Sequence, residues 1–172
     1  MRDAIEVLFY HEQRHSESCV AWGLEFILKV REKIGLDEYP LQSGIEPNTG
    51  IGSCSWGFGQ KERDFISYKY NIILEEKEFE FQEFEDEMKI ESQAGRFPIF
   101  PLPISVALNF YPAGFGEFTS HICVAVLQQN QLKYWTRQCG SRTILDIPVQ
   151  LFYNFLRSRI KSDYRIHCLL HR

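Results

Sequence analysis

The sequence of 172 residues contains no long run of apolar residues and no block rich in lysine or arginine. A membrane-spanning helix needs about 20 consecutive apolar residues, so no membrane span is expected. Nucleic-acid surfaces are usually basic, and a formal net charge of -4 argues against a nucleic-acid partner. The N-terminal stretch MRDAIEVLFYHEQRH has early acidic residues and lacks the apolar core of a cleaved signal peptide. We therefore expect a cytoplasmic protein, or one exported as an effector without such a peptide.

Paired cysteine motifs are also missing. The five cysteines are scattered and never spaced as CxxC, which argues against a disulfide framework and against a zinc ribbon. The glycine-rich stretch GIGSCSWGFGQ is not followed by GK[ST], which argues against a phosphate-binding loop. No metal or cofactor is therefore predicted, and most thiols should be free in a reducing compartment. The cysteines are Cys19, Cys54, Cys123, Cys139 and Cys168.

Aromatic residues are abundant, with 14 phenylalanines, 8 tyrosines and 3 tryptophans, and 44% of the residues are hydrophobic. Disordered chains are poor in such residues, and a chain of this length can bury a sizeable core. No internal repeat or low-complexity segment interrupts the sequence. We therefore predict a single domain covering residues 1–172.

Hydrophobic periodicity predicts a mixed α+β fold. The first predicted helix covers about residues 19–34, with Ser16 or Ser18 as N-cap and Gly35 as the stop. The stretch FPIFPLP is interpreted as an edge or an approach to a strand, because proline cannot donate to a central ladder. The other predicted elements are a helix near 60–68, a short strand at the start of NIILEEKEFEFQEFEDEMKIESQAG, an acidic helix up to Gly95, strands ISVALNFY, HICVAVL and LKYWT with a turn QQNQ before the last, a helix IPVQLFYNFLRSRI and a strand YRIHCLL.

Cys19 begins the first predicted helix and is the preferred candidate nucleophile. A helix N-terminus stabilises a thiolate, which also needs a histidine to take its proton and a donor for the developing oxyanion. His121 is the best candidate base because it opens a strong strand directly after a glycine-rich loop. The alternatives are that Cys19 only packs in the core and that His121 only bonds a backbone carbonyl.

The other candidates rank lower. His11 and His15 precede the helix and are expected to face away from the thiol or to line a rim. His167 and His171 lie near the C-terminus. Cys54 is a rival nucleophile beside a tryptophan, but no helical run follows it directly, so it is expected on a loop beside the cleft.

Gln13, five intervening residues, Cys19 within SCVAW, and then SHICVAV followed by LKYWT resemble the papain-like cysteine peptidase superfamily. The small members are most similar: Josephin-type ubiquitin proteases, double-glycine leader peptidases and certain type III effector proteases. The resemblance implies an N-terminal helix that carries the cysteine and packs on an antiparallel sheet. It also implies Cys19 as nucleophile, His121 facing it across a cleft as general base, and Gln13 as oxyanion donor.

One position departs from the family pattern. The family places an Asn or Asp about fifteen residues after the histidine to orient its ring, and this sequence has Thr136 there. Gln138 is the nearest amide and is the candidate third catalytic residue. The site is therefore predicted to be a dyad, to use Gln138, or to be degenerate.

The resemblance implies a cysteine protease that acts on a peptide or isopeptide bond of a protein or peptide substrate. The same residues support glutamine deamidation and acyl transfer to an amine, so these remain alternatives. A second class of function, a non-catalytic papain-like binding module, is favoured by Thr136 at the orienting position.

Overall fold

The computed structural model describes residues 1–14, 18–44, 60–94, 99–103, 120–128, 131–135, 145–148 and 166–172, together with Gln150, Asn154 and Arg157. Helices and an antiparallel sheet are both present, which confirms the α+β class. The elements are α1 (Ala4–Tyr10), α2 (Cys19–Val30), a 3-10 turn (Gln42–Gly44), α3 (Gln60–Tyr70), β1 (Leu74–Phe79), α4 (Phe81–Gln93), β2 (Ile99–Pro103), β3 (Ser120–Gln128), β4 (Gln131–Trp135), β5 (Leu145–Pro148) and β6 (Ile166–His171).

The chain separates into two compact units. The described residues of Met1–Leu74, with Arg172, form the first, and those of Glu75–Trp135 and Ile144–His171 form the second. The single domain over 1–172 stays a prediction. Among the described helices, none is long and apolar enough to cross a membrane.

Helix α1 was not predicted from the sequence. Asp3 caps it, since its side-chain oxygen accepts from the backbone N–H of Glu6 at 2.9 Å. An Asp followed three residues later by Glu is a recognisable helix start, and Val7 and Leu8 supply a short buried face. Just ahead of the helix, the guanidinium of Arg2 donates to the carbonyl of Lys29 in the last turn of α2 and to that of Ile34, four residues after α2 ends.

Helix α2 starts at Cys19, as predicted, but the predicted end at residue 34 is wrong. The helix stops at Val30 because Glu32 adopts a positive φ of 57°. The backbone N–H of Glu32 then donates to the carbonyl of Lys29 at 3.1 Å. The backbone N–H of Lys33 donates to the carbonyl of Leu28 at 2.8 Å. This is the Schellman arrangement, which usually has glycine at the turning position. Gly35 is therefore not the stop.

Helices α3 and α4 match their predictions, whereas the strand between them was misplaced. The strand was predicted at the start of NIILEEKEFEFQEFEDEMKIESQAG, and β1 runs from Leu74 to Phe79, three residues later and through the acidic segment. Both ends of β1 are buried and its charged middle is more exposed, which suits the outermost strand of the sheet. In α4, Phe84 and Met88 are buried at the spacing expected for a helix that covers a core.

Within the described residues, the sheet has six strands in the order β1-β6-β2-β3-β4-β5. Strand β3, predicted as HICVAVL, lies in the middle and pairs antiparallel with both β2 and β4. Gln128 of β3 stands opposite Gln131 of β4, so these two strands form the predicted hairpin. Strand β4 continues to β5 on its other side.

The interpretation of the proline-rich stretch as an edge or an approach to a strand is wrong. Pro101 and Pro103 lie inside β2, which sits between β6 and β3. All five residues of β2 pair with β3, and within the part of the chain that the structure describes, Ile99 stands opposite Leu169 of β6. Prolines two residues apart lack N–H groups on the same side of a strand. A full ladder on the other side is therefore compatible with both prolines.

The predicted helix from Ile147 begins too early, because Ile147 and Pro148 belong to β5. Gln150, Asn154 and Arg157 lie in helical backbone farther on. The Arg157 guanidinium pairs with Glu85 of α4 at 2.5 Å, and the Glu85 side chain is only 8% exposed. The predicted strand ISVALNFY lies outside the described residues.

Candidate functional site

Cys19 is the first residue of α2, and Ser18 is the N-cap. The predicted capping position is thus confirmed, but the Ser18 side chain makes no capping bond to the helix. Its hydroxyl instead donates to the Gln42 side-chain oxygen at 2.9 Å. No acidic residue occupies the first turn of α2, so the positive end of the helix dipole is not offset there by a carboxylate.

Gln13 lies on the segment that enters α2, and its side chain is only 1% exposed. Both peptide groups that flank it are held by the side chain of Gln42. The Arg14 N–H donates to Gln42 Oε1 at 2.8 Å, and Gln42 Nε2 donates to the Glu12 carbonyl at 3.0 Å. The backbone of Gln13 is therefore fixed from both sides.

Gln42 is in turn held by Glu25, which projects from α2. Glu25 Oε1 accepts from the backbone N–H groups of Leu41 and Gln42 at 2.7 and 2.8 Å, and Oε2 accepts from Gln42 Nε2 at 2.6 Å. Burial raises the pKa of Glu25 above its ordinary range, and the bonds from Gln42 and Leu41 oppose that rise. The result is a buried polar cluster that links α2, the 3-10 turn and the segment before Cys19.

A second buried group surrounds Lys29, one turn along α2 from Glu25. The Lys29 ammonium donates to the Leu36 carbonyl at 2.6 Å, contacts His11 Nδ1 at 3.0 Å, and lies 3.8 Å from the centre of the Tyr39 ring. His11 Nε2 lies 2.8 Å from the Trp22 carbonyl, an acceptor, so Nε2 carries the hydrogen and Nδ1 accepts from Lys29. Burial lowers the pKa of Lys29 to about 8.

Aromatic rings enclose this second group. The His11 and Trp22 rings stack at 5.5 Å and 6°, and Trp22 Nε1 donates to the His11 carbonyl at 3.1 Å. The Arg14 guanidinium lies 3.6 Å from the centre of the Tyr39 ring. His11 is 1% exposed, so the expectation that it lines a rim is wrong, and the alternative that it faces away from the thiol stays a prediction.

The predicted site residues fall in different parts of the structure. Gln13 and Cys19 belong to the first unit, and His121 belongs to the second, where it stands in β3 opposite Leu102. The pairing of Cys19 with His121 stays a prediction. His15, Cys54, Thr136 and Gln138 lie outside the described residues, so the role of Gln138 also stays a prediction.

Cys168 can be set aside as a nucleophile. It is a free thiol, fully buried in β6. Burial is the main cause that raises its pKa far above the ordinary value, with Glu87 adding to the rise. A thiol that stays protonated is a poor nucleophile. Among the residues that the structure describes, no group of three or more His, Cys, Asp or Glu side chains is arranged to hold a metal ion.

Sequence reasoning missed the buried polar residues Glu25, Lys29 and Gln42. A signal for the first two exists, because two opposite charges four residues apart interrupt an otherwise apolar helix. Residues 21–30 are all buried, so the charges could not point to water. Nothing near Gln42 in the sequence indicates that its side chain reaches back to residues 12–18.

Comparisons with protein-family models, with curated proteins and with solved structures found no match.

Proposed function

We propose that this chain is a thiol-dependent acyl hydrolase of papain-like type, a cysteine protease that cleaves a peptide or isopeptide bond. Cys19 is the nucleophile, His121 the general base and Gln13 the oxyanion donor. The observation that carries the proposal is the position of Cys19 at the start of α2, directly after a segment in which the backbone of Gln13 is held in place.

In the proposed reaction His121 takes the thiol proton, and the Cys19 sulfur attacks the carbonyl carbon of the scissile bond. A C–S bond forms while the carbonyl oxygen becomes an oxyanion, which accepts from the Gln13 amide and the Cys19 backbone N–H. The C–N bond then breaks, and the His121 imidazolium gives its proton to the leaving amine. Water hydrolyses the thioester with His121 again as base, which restores the thiol.

Two features of the described residues support this assignment. The first turn of α2 carries no acidic side chain, and an exposed helix N-terminus stabilises an anion by about 0.3–1 kcal/mol. Gln13 is 1% exposed, and a donor shielded from water is worth more to an oxyanion than a hydrated one. The role requires that the carbonyl oxygen of a bound substrate reach the Gln13 amide.

The test is covalent capture with electrophilic probes, one on a peptide and one on the ubiquitin C-terminus. We expect a single adduct on Cys19 in the wild type, loss of the adduct in Cys19→Ser, and no change in Cys168→Ser, the matched control on a buried thiol. An adduct on Cys54 in place of Cys19, or no adduct with either probe, would overturn the assignment.

A second function has one observation in its favour. Thr136 stands where the family places an Asn or Asp, and loss of the orienting side chain is expected in a papain-like module that binds proteins without catalysis. Binding of a protein ligand with equal affinity by the wild type and by Cys19→Ala, combined with no probe adduct, would favour the binding module. A probe adduct without peptide cleavage would favour glutamine deamidation or acyl transfer.

A further inference from the structure

The geometry points to Gln42 as a positioning residue that fixes the backbone of Gln13 relative to the start of α2, and thereby the oxyanion donor relative to the nucleophile. The inference rests on the proposed function. Gln42 lies in the 3-10 turn, far along the chain from Gln13, and is fully buried. None of the sequence motifs that indicate a peptidase includes it.

The side-chain amide of Gln42 uses its whole hydrogen-bonding capacity. An amide offers two acceptor sites and two donor hydrogens. Gln42 Oε1 accepts from the Arg14 N–H at 2.8 Å and from the Ser18 hydroxyl at 2.9 Å. Its Nε2 donates to the Glu12 carbonyl at 3.0 Å and to Glu25 Oε2 at 2.6 Å. The backbone partners settle which end of the amide is oxygen, because a peptide N–H only donates and a carbonyl only accepts.

Three of these four bonds go to the segment that carries the candidate machinery. Two hold the peptide groups on either side of Gln13, and the third holds Ser18, the residue directly before Cys19. The fourth bond joins Gln42 to Glu25, which belongs to α2 and also accepts from the Gln42 backbone N–H. One side chain therefore connects the backbone of Gln13, the residue before Cys19, and the helix that Cys19 begins.

The position of Gln13 should affect a reaction at Cys19 that forms an oxyanion more than one that forms none. Acylation of Cys19 by p-nitrophenyl acetate forms a C–S bond, passes through an oxyanion and expels p-nitrophenolate. Alkylation by iodoacetamide forms a C–S bond at a saturated carbon and expels iodide without any oxyanion. Misplacement of Gln13 should slow the first reaction and spare the second. The ratio of the two rates at Cys19 therefore reports positioning and is insensitive to a general loss of stability.

The test measures this ratio by mass spectrometry in folded wild type, Gln42→Leu and Gln60→Leu. Gln60 is an exposed glutamine of α3 that bonds Asp64 and Arg63, so the same substitution there is the matched control. We expect Gln42→Leu to lower the ratio at least about tenfold, part of the roughly 100- to 1,000-fold that removal of an oxyanion donor costs. Gln60→Leu should leave the ratio unchanged.

Ser18→Ala is the milder second variant, for the case in which Gln42→Leu does not fold. It removes only the hydroxyl bond to Gln42 Oε1 and should lower the ratio about two- to fivefold. If wild type is acylated at Cys19 and the folded variants keep its ratio, the positioning role is overturned and the proposed function stands. If wild type is not acylated at Cys19, both the function and the positioning role are overturned.

Discussion

Lys29 gives the protein a dependence of stability on pH that can be worked out from its surroundings. Its side chain is fully buried, and burial lowers its pKa from 10.5 to about 8 although Glu25 opposes the shift. Arg14 and Arg2 lower the pKa further, and Asp37 raises it. Between about pH 8 and 10.5 the unfolded chain therefore binds a proton at Lys29 that the folded chain has released.

Stability rises with pH wherever the unfolded state binds more protons. The difference between 10.5 and about 8 corresponds to about 3 kcal/mol of unfolding free energy, gained as the pH rises through that window. Urea unfolding of the wild type and of Lys29→Met at about pH 7 and about pH 10.5 isolates the effect, because other titrating groups are common to both proteins.

We expect the unfolding free energy of the wild type to increase by about 3 kcal/mol relative to Lys29→Met between these two pH values. The variant keeps a side chain of similar volume but has nothing to titrate at that position. A difference that stays constant across the window, or that changes in the opposite direction, would refute the account of a buried, destabilised ammonium.

Three other predictions concern stability and reactivity elsewhere. Asp3→Ala removes the α1 cap and should lower the unfolding free energy by about 1 kcal/mol in urea titrations, and an unchanged value would show that the cap bond contributes nothing. Arg157→Met leaves the Glu85 carboxylate largely buried without its ion-pair partner and should cost about 1–3 kcal/mol in the same assay, whereas Arg157→Lys should recover part of the loss. Cys168 should resist iodoacetamide in the folded protein and react only after addition of denaturant, so rapid native labelling there would contradict its burial.

The start of α2 could be predicted from the sequence, whereas its end could not. A serine followed by an apolar run marks the beginning of a helix at Cys19. The apolar spacing continues to Ile34, which is indeed buried, but it is buried after the helix has ended. The positive φ of Glu32 decides the end, and Glu is not a residue that indicates a left-handed turn.

The proline rule failed at β2 for a physical reason. Proline was expected at an edge because it lacks an N–H, but a central strand needs those N–H groups only where a ladder is actually formed. Among the described residues, all five of β2 pair with β3, and the pairing with β6 includes Ile99 opposite Leu169. Which side carries the full ladder depends on the neighbouring strands, and these are distant in the sequence.

The polar cluster around Gln42 and Glu25 illustrates what local patterns omit. Charge spacing within α2 points to Glu25 and Lys29 as unusual residues, but their partners come from the segments before and after the helix. Motif spacing indicates Gln13 and Cys19 as candidates. The side chain of Gln42, which holds their segment, is distant in the sequence and is brought to that segment by the fold.

The measurement that tests the central claim most directly is the pH dependence of Cys19 alkylation in the wild type and in His121→Ala. A thiolate paired with an imidazolium reacts at about pH 6, where a cysteine with a pKa of about 8.5 is almost wholly protonated. We predict rapid labelling of Cys19 at that pH in the wild type and a shift of its profile toward pH 8.5 in the variant. Superimposable profiles for the two proteins would contradict the pairing of Cys19 with His121.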